Sequence, residues 1–254
     1  MSPVVRRIAG VAPAALALGL ACGGGEAQPS TLDTPIDHGR AVFDDPRASE
    51  STLNFFACST CHVAEPDVTD GRTLPGAPLG GVTKRATYWA GQEDDLLRSI
   101  NACRTRFMGA RDPWARDGEE AKVLYAYLDS LPAPANPTAP VPFTVVQQVA
   151  DLPAGDPTRG AAVYEAACAS CHGARDAGFG RIAPRAPLLP GQTLAEHTYL
   201  TSNEQRLVFV EKVRHGVFLG YSGTMPPFSL EVLSDGDLGA LLAYLGLYRA
   251  APAR

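Results

Sequence analysis

The chain is short of charge. Asp, Glu, Lys and Arg make up only 19% of its 254 residues, the formal net charge is −5, and Lys and Arg form no block. Binding nucleic acid through its phosphates needs clustered cations, so the sequence excludes nucleic acid as the main partner. Long hydrophobic runs are missing too, because the one apolar run, near the start, is too short for a good membrane span. Six cysteines are too few to serve as the disulfide scaffold of a chain this long. Methionine is rarer still: beyond Met1 there are only Met108 and Met225. No catalytic acid–base constellation stands out, since pairs such as Asp94-Asp95 and Glu119-Glu120 fall at predicted helix starts, where carboxylates favour the amide dipoles. What is plentiful is apolar residues, 45%, as in a globular protein, and proline, 22 residues or about 9% against the usual ~5%. The length allows one large domain or two of ordinary size.

The first residues read as an export signal. Met1 to Arg7 carry two positive charges and no acid, and Ile8 to Ala21 are uncharged and end in small residues. Leu18-Gly19-Leu20-Ala21-Cys22 resembles the lipobox of bacterial lipoproteins, with Gly19 where that motif usually has Leu. In such proteins the cysteine becomes the acylated first residue. The expectation is a signal peptide over 1–21, lipid on Cys22 and a tether over 22–35. Loss of Arg6 and Arg7 takes the chain from −5 to −7.

Four of the remaining cysteines form two C-x-x-C-H pentapeptides, Cys58-Ser59-Thr60-Cys61-His62 and Cys168-Ala169-Ser170-Cys171-His172, 110 residues apart. This is the attachment signature of c-type haem. The two thiols reach the two vinyl groups of one porphyrin, and the adjacent histidine lies under the iron. Zinc would need four ligands gathered at each site, and neither copy has a second Cys/His pair nearby. The cofactors expected are therefore two covalently bound haem c groups.

The repeat extends past the pentapeptides. Asp117, Glu120, Leu124, Tyr127 and Leu128 correspond to Ser234, Asp237, Leu241, Tyr244 and Leu245 at an offset of 117, which is also the offset between Met108 and Met225. Each of these segments predicts a helix opened by a capping box, with apolar residues at i, i+3, i+4 and i+7. Asp156-Pro157 opens a helix running into Cys168, with Gly39 to Phe43 as its counterpart. A further helix is predicted over Asn203 to His215, stopped by Gly216, with Gln92 to Ala102 as its equivalent. Pro132 to Pro153, with six prolines, reads as an extended linker that can lie against both halves.

Cys168 to His172, then Met225-Pro226 in a Gly-rich loop, then the Leu/Tyr helix, together resemble a class I cytochrome c domain. The first half resembles a more divergent copy. The resemblance implies an all-α fold of two cytochrome c-like domains, 36–131 and 155–250, each a small helical bundle around one haem, joined by the linker 132–154. It also implies iron held by His62 and Met108 in the first domain and by His172 and Met225 in the second. Such ligation leaves no open iron position, and the soft thioether favours Fe(II) and raises the potential relative to two imidazoles. The spans His62–Met108 and His172–Met225, 46 and 53 residues, are long enough to circle a haem edge. Cys103 is the rival ligand at the first haem; otherwise it is a buried thiol on the helix face of Leu96 and Ile100, or a partner for an unlipidated Cys22. His197 and His215 are rivals at the second haem, with His215 read as a surface or capping residue, and His38 is read as exposed.

The function this implies is an exported, membrane-anchored electron carrier on the periplasmic side, passing single electrons between redox proteins whose docking patches are basic. The alternatives are a dihaem oxidoreductase with a reactive first haem, thiosulfate-oxidising or peroxidase-like, or the cytochrome subunit of a larger dehydrogenase or oxidase. Ile100-Asn101-Ala102-Cys103-Arg104 loosely resembles a stretch of thiosulfate-oxidising dihaem cytochromes.

Overall fold

The computed structural model describes residues 34–64, 70–153, 155–219 and 223–248. The signal, Cys22 and most of the tether lie outside them. Among the described residues there are nine α-helices and no strand, only one isolated bridge between Tyr88 and Glu93, as the all-α reading requires. In chain order the helices are α1 (Pro35–Asp44), α2 (Cys58–Cys61), α3 (Leu96–Arg106), α4 (Glu119–Ser130), α5 (Pro157–Ala167), α6 (Ala169–His172), α7 (Gly191–Glu196), α8 (Ser202–His215) and α9 (Asp235–Tyr244). None of the described helices is long and apolar enough to cross a membrane.

Each half is organised by one helix pair, α1 on α4 and α5 on α9. The pairs are built alike. Thr34 caps α1 by accepting from the Asp37 amide at 3.2 Å, and Asp156 caps α5 by accepting from the Thr158 amide at 2.9 Å, each with proline in the first turn. Where the helices cross, Gly39 faces the Val123 carbonyl and Gly160 the Ala240 carbonyl; a Cβ on either glycine would stand 2.0 Å from that oxygen. Four residues on, Phe43 packs on Tyr127 and Tyr164 on Tyr244, with ring centroids 5.4 and 5.6 Å apart and both pairs tilted by 53°. Leucines fill much of the rest of each core, Leu124, Leu128 and Leu131 beside Val82 in the first half, and Leu238, Leu241, Leu242 and Leu245 beside Phe209, Val210 and Val213 in the second.

The linker has no regular helix and lies against both halves. The Pro132 carbonyl closes on Gly80, and the Thr144 amide donates to Glu231 at 2.8 Å. The hydrogen bonds from the Thr144 hydroxyl and amide hold the Glu231 carboxyl down at about 2. Arg206, fully buried, donates to Asp151 at 2.7 Å and to the carbonyls of Leu152 and Leu247, tying the linker's end to the C-terminal segment.

Three local expectations are corrected. The third helix of the first half starts at Leu96, capped by Asp95, because a tight turn with left-handed Trp89, Ala90 and Gly91 occupies the residues before it; it runs on to Arg106 rather than ending at Ala102. The capping box expected from Asp117 and Glu120 is not formed, since a turn closed by the Gly118 amide on the Ala115 carbonyl makes Gly118 the cap. In the second half Ser234 does accept from the Asp237 amide, at 3.1 Å. His215 is buried rather than on the surface: the linker covers it, and its ring nitrogens meet the Glu211 carboxylate and the Val146 carbonyl. His38 is exposed, as read.

Candidate functional site

The two C-x-x-C-H segments form the short helices α2 and α6, and each faces a large cavity. The first cavity, of about 340 Å³, is lined by Cys58, Cys61, His62, Cys103 and Met108, with apolar walls from Phe43, Leu96, Leu124 and Leu128. The second, of about 400 Å³, is lined by Cys168, Cys171, His172 and Met225, with Leu238, Leu241, Leu242 and Leu245 behind them. Every residue expected to hold a haem in a given half therefore lines one and the same cavity. His197 and His215 line neither cavity.

The histidines are oriented identically. His62 Nδ1 is 2.8 Å from the Ala77 carbonyl and His172 Nδ1 is 3.0 Å from the Pro187 carbonyl, each partner 15 residues downstream. A carbonyl can only accept, so each Nδ1 carries the proton and the Nε2 lone pair is left for the cavity. Burial pushes both imidazoles below their ordinary range, which favours this neutral ligand form. Gly76 makes room for the arrangement in the first half, where a Cβ would fall 2.5 Å from the His62 ring.

All five described cysteines are free. Burial raises the thiols, Cys58 to about 11 and Cys103 and Cys168 to about 12, with Cys61 and Cys171 also raised. They are neutral thiols against apolar walls, suited to thioether formation more than to holding a bare cation. Among the described residues no three His, Cys, Asp or Glu side chains gather as a metal site. The polar rim fits haem as well. Ser99 Oγ is buried at the wall of the first cavity with no hydrogen-bond partner. Arg104, also at that wall and 2% exposed, is bonded to neutral acceptors: the Asp112 carbonyl at 3.0 Å, the Ala48 carbonyl and Asn101 Oδ1. Its guanidinium stacks 4.0 Å over the Trp114 ring. A carboxylate-bearing cofactor such as haem would add an anionic acceptor beside Arg104 and Ser99.

Several lining residues had no usable signal in the sequence. Arg104 is a helix cation that looks solvent-facing. Trp89 and Ala90 enter the first cavity only because their left-handed turn bends them in. Pro140, Val141 and Phe143 reach the same cavity from the linker, where the one available hint was two large apolar residues in a proline-rich stretch.

Residues 155–245 match the family described as "Cytochrome C oxidase, cbb3-type, subunit III". Comparison with curated proteins finds no match. Among solved structures the chain is similar to a thiosulfate dehydrogenase from Marichromatium purpuratum in its as-isolated form, at 18% identity and a TM-score of 0.40. That likeness covers 86% of this chain and 46% of the other, so the chain spans less than half the length of the protein it matches. The family likeness lies within the second half, whose residues 155–245 are similar to a cytochrome c domain.

Proposed function

We propose that the chain is a dihaem cytochrome c that passes single electrons between redox proteins outside the cytoplasm. In this reading Cys58 and Cys61 hold one haem and Cys168 and Cys171 the other. His62 and Met108 would hold the first iron, and His172 and Met225 the second. The observation that carries the reading is the repeated placement of His62 and His172, each at the end of a C-x-x-C turn, pinned through Nδ1 to a carbonyl 15 residues on and aimed at a leucine-walled cavity that also holds a methionine.

When bound, haem c supplies an iron that cycles between Fe(III) and Fe(II). The chain does the rest. The carbonyl of Ala77 or Pro187 holds each imidazole in its ligating tautomer. The thioethers of Met108 and Met225 are soft donors that favour the reduced state. Iron held by both the histidine and the methionine of its half would leave no position for a substrate, which suits a carrier.

In the purified ferric protein we expect two low-spin EPR signals and a methionine-to-iron charge-transfer band. Met225→Ala should convert the second haem to high spin, and Met108→Ala the first. High-spin iron in the unaltered protein would overturn the carrier reading. One observation favours a second reading, that Cys103 ligates the first iron: it lines the same cavity as Met108, five residues earlier. Burial pushes its thiol up to about 12, so a thiolate here would need a cation such as iron beside it to stabilise it. A thiolate-type signal abolished in Cys103→Ser and retained in Met108→Ala would establish that ligand. The first haem would then be the place to seek a reaction such as thiosulfate oxidation.

The proposed location is the periplasmic side of a membrane, through lipid on Cys22. Cys22→Ser is expected to move the protein from the membrane fraction to the soluble periplasmic fraction. Membrane association unchanged in that variant would rule the anchor out.

A further inference from the structure

The two cavities share a wall. Phe56, Cys61, Pro75 and Pro226 each line both. Cys61 is the second cysteine of the first C-x-x-C-H segment, and it faces the cavity of the other half as well as its own. Its counterpart Cys171 is packed, from the second half, against the buried cluster of Phe56, Phe107 and Met108. Burial pushes the Cys61 thiol far above its ordinary range, and the Cys103, Cys171 and Cys58 sulfurs lie near enough to push it further.

The two halves are joined directly at this wall. The Thr73 amide donates to the Ala166 carbonyl at 2.8 Å, two residues before the first cysteine of the second segment. Thr73, Leu74 and Pro75 of the first half line the second cavity. In return Pro226 and Pro227, which follow the proposed ligand Met225, line the first. Phe56, 8% exposed, is buried in the layer between the cavities.

Resting on the dihaem reading above, we infer that the two haems meet at this wall through the edges bonded to Cys61 and Cys171, and exchange electrons directly within one chain. The step moves one electron from the ferrous iron of one haem to the ferric iron of the other. No bond is made or broken and no proton moves. A wall of Phe56, Pro75 and Pro226 with the Cys61 and Cys171 sulfurs is largely apolar, so the reorganisation that accompanies the transfer stays small. A partner docked at either half thereby reaches both haems, and the protein holds two electrons through one point of contact.

The test uses the holoprotein. Haem content per chain, measured as the pyridine haemochrome, comes first. One haem per chain would defeat the dihaem reading itself, and the inference with it. With two haems present, EPR spectra are compared between the fully ferric and the half-reduced protein. The expected result is that each low-spin signal is broadened and relaxes faster while its neighbour is ferric, and that the effect is lost when the neighbour is reduced to diamagnetic Fe(II). Signals in the fully ferric protein equal to the sum of two isolated haems would overturn the shared-wall inference and leave the dihaem reading intact. Flash reduction gives a second readout. Redistribution of one electron between the haems should proceed at a rate independent of protein concentration, whereas a rate rising with concentration would mean that electrons pass only between molecules.

Discussion

Cysteine removal from the second segment, Cys168→Ala with Cys171→Ala, is expected to leave residues 155–248 unfolded. The reason is the size of the space behind α6. A cavity of about 400 Å³ lies among Leu238, Leu241, Leu242 and Leu245. At roughly 24 cal/mol per Å³ of unfilled cavity, leaving it empty costs on the order of 10 kcal/mol, against a total stability of about 5–15 kcal/mol for an ordinary domain. Without a bound haem the helix pair α5 and α9 has too little apolar mass between it and α8 to offset its ordering entropy. Far-UV circular dichroism and limited proteolysis check this. Full helicity and a cooperative melt in the haem-free variant would show that the leucines close on one another without a cofactor.

The second large effect is expected from one methyl group. Gly160→Ala places a Cβ 2.0 Å from the Ala240 carbonyl oxygen and 2.7 Å from Tyr244 Cβ, so α5 and α9 must separate. Alanine is favoured over glycine in a helix by about 1 kcal/mol, but overpacking of this kind costs about 3 kcal/mol. The net loss of about 2 kcal/mol corresponds to a fall of roughly 8–16 °C in the melting midpoint of a domain this size. Gly191→Ala is the control: its Cβ would meet nothing within 4 Å, and it should leave the midpoint unchanged or slightly raised. Equal midpoints for the two variants would mean that the helix crossing is not where the structure puts it. Gly39→Ala, against the Val123 carbonyl at the same 2.0 Å, should reproduce the loss in the first half.

These two sites differ in how visible they were beforehand. The C-x-x-C-H segments could be read directly, because each is a contiguous motif. The leucines at helical spacing and the Met108/Met225 offset could be read because they recur. The crossing glycines stood in plain sight, at Gly39 and Gly160, four residues before an aromatic in each copy. Their meaning was hidden because a glycine inside a helix signals only weakness until the backbone it faces is known. His215 was misplaced for a related reason. The end of a helix is normally solvated, and nothing in the local sequence says that the Val146 carbonyl, 69 residues away, arrives to cover it.

The sequence by itself therefore determined the helical class, and it made legible the two C-x-x-C-H segments, the histidine beside each and the shared offset of Met108 and Met225. All of these are local or periodic features, and local chemistry writes them into neighbouring residues. Tertiary structure alone decided that Cys103 and Met108 share one cavity, that Arg104 is buried beside it, that the proline-rich linker contributes part of its wall, and that Cys61 faces both cavities at once. Each of these depends on chain segments tens of residues apart being packed together, and the packing is set by volume and shape across the whole interior, which no window of sequence contains.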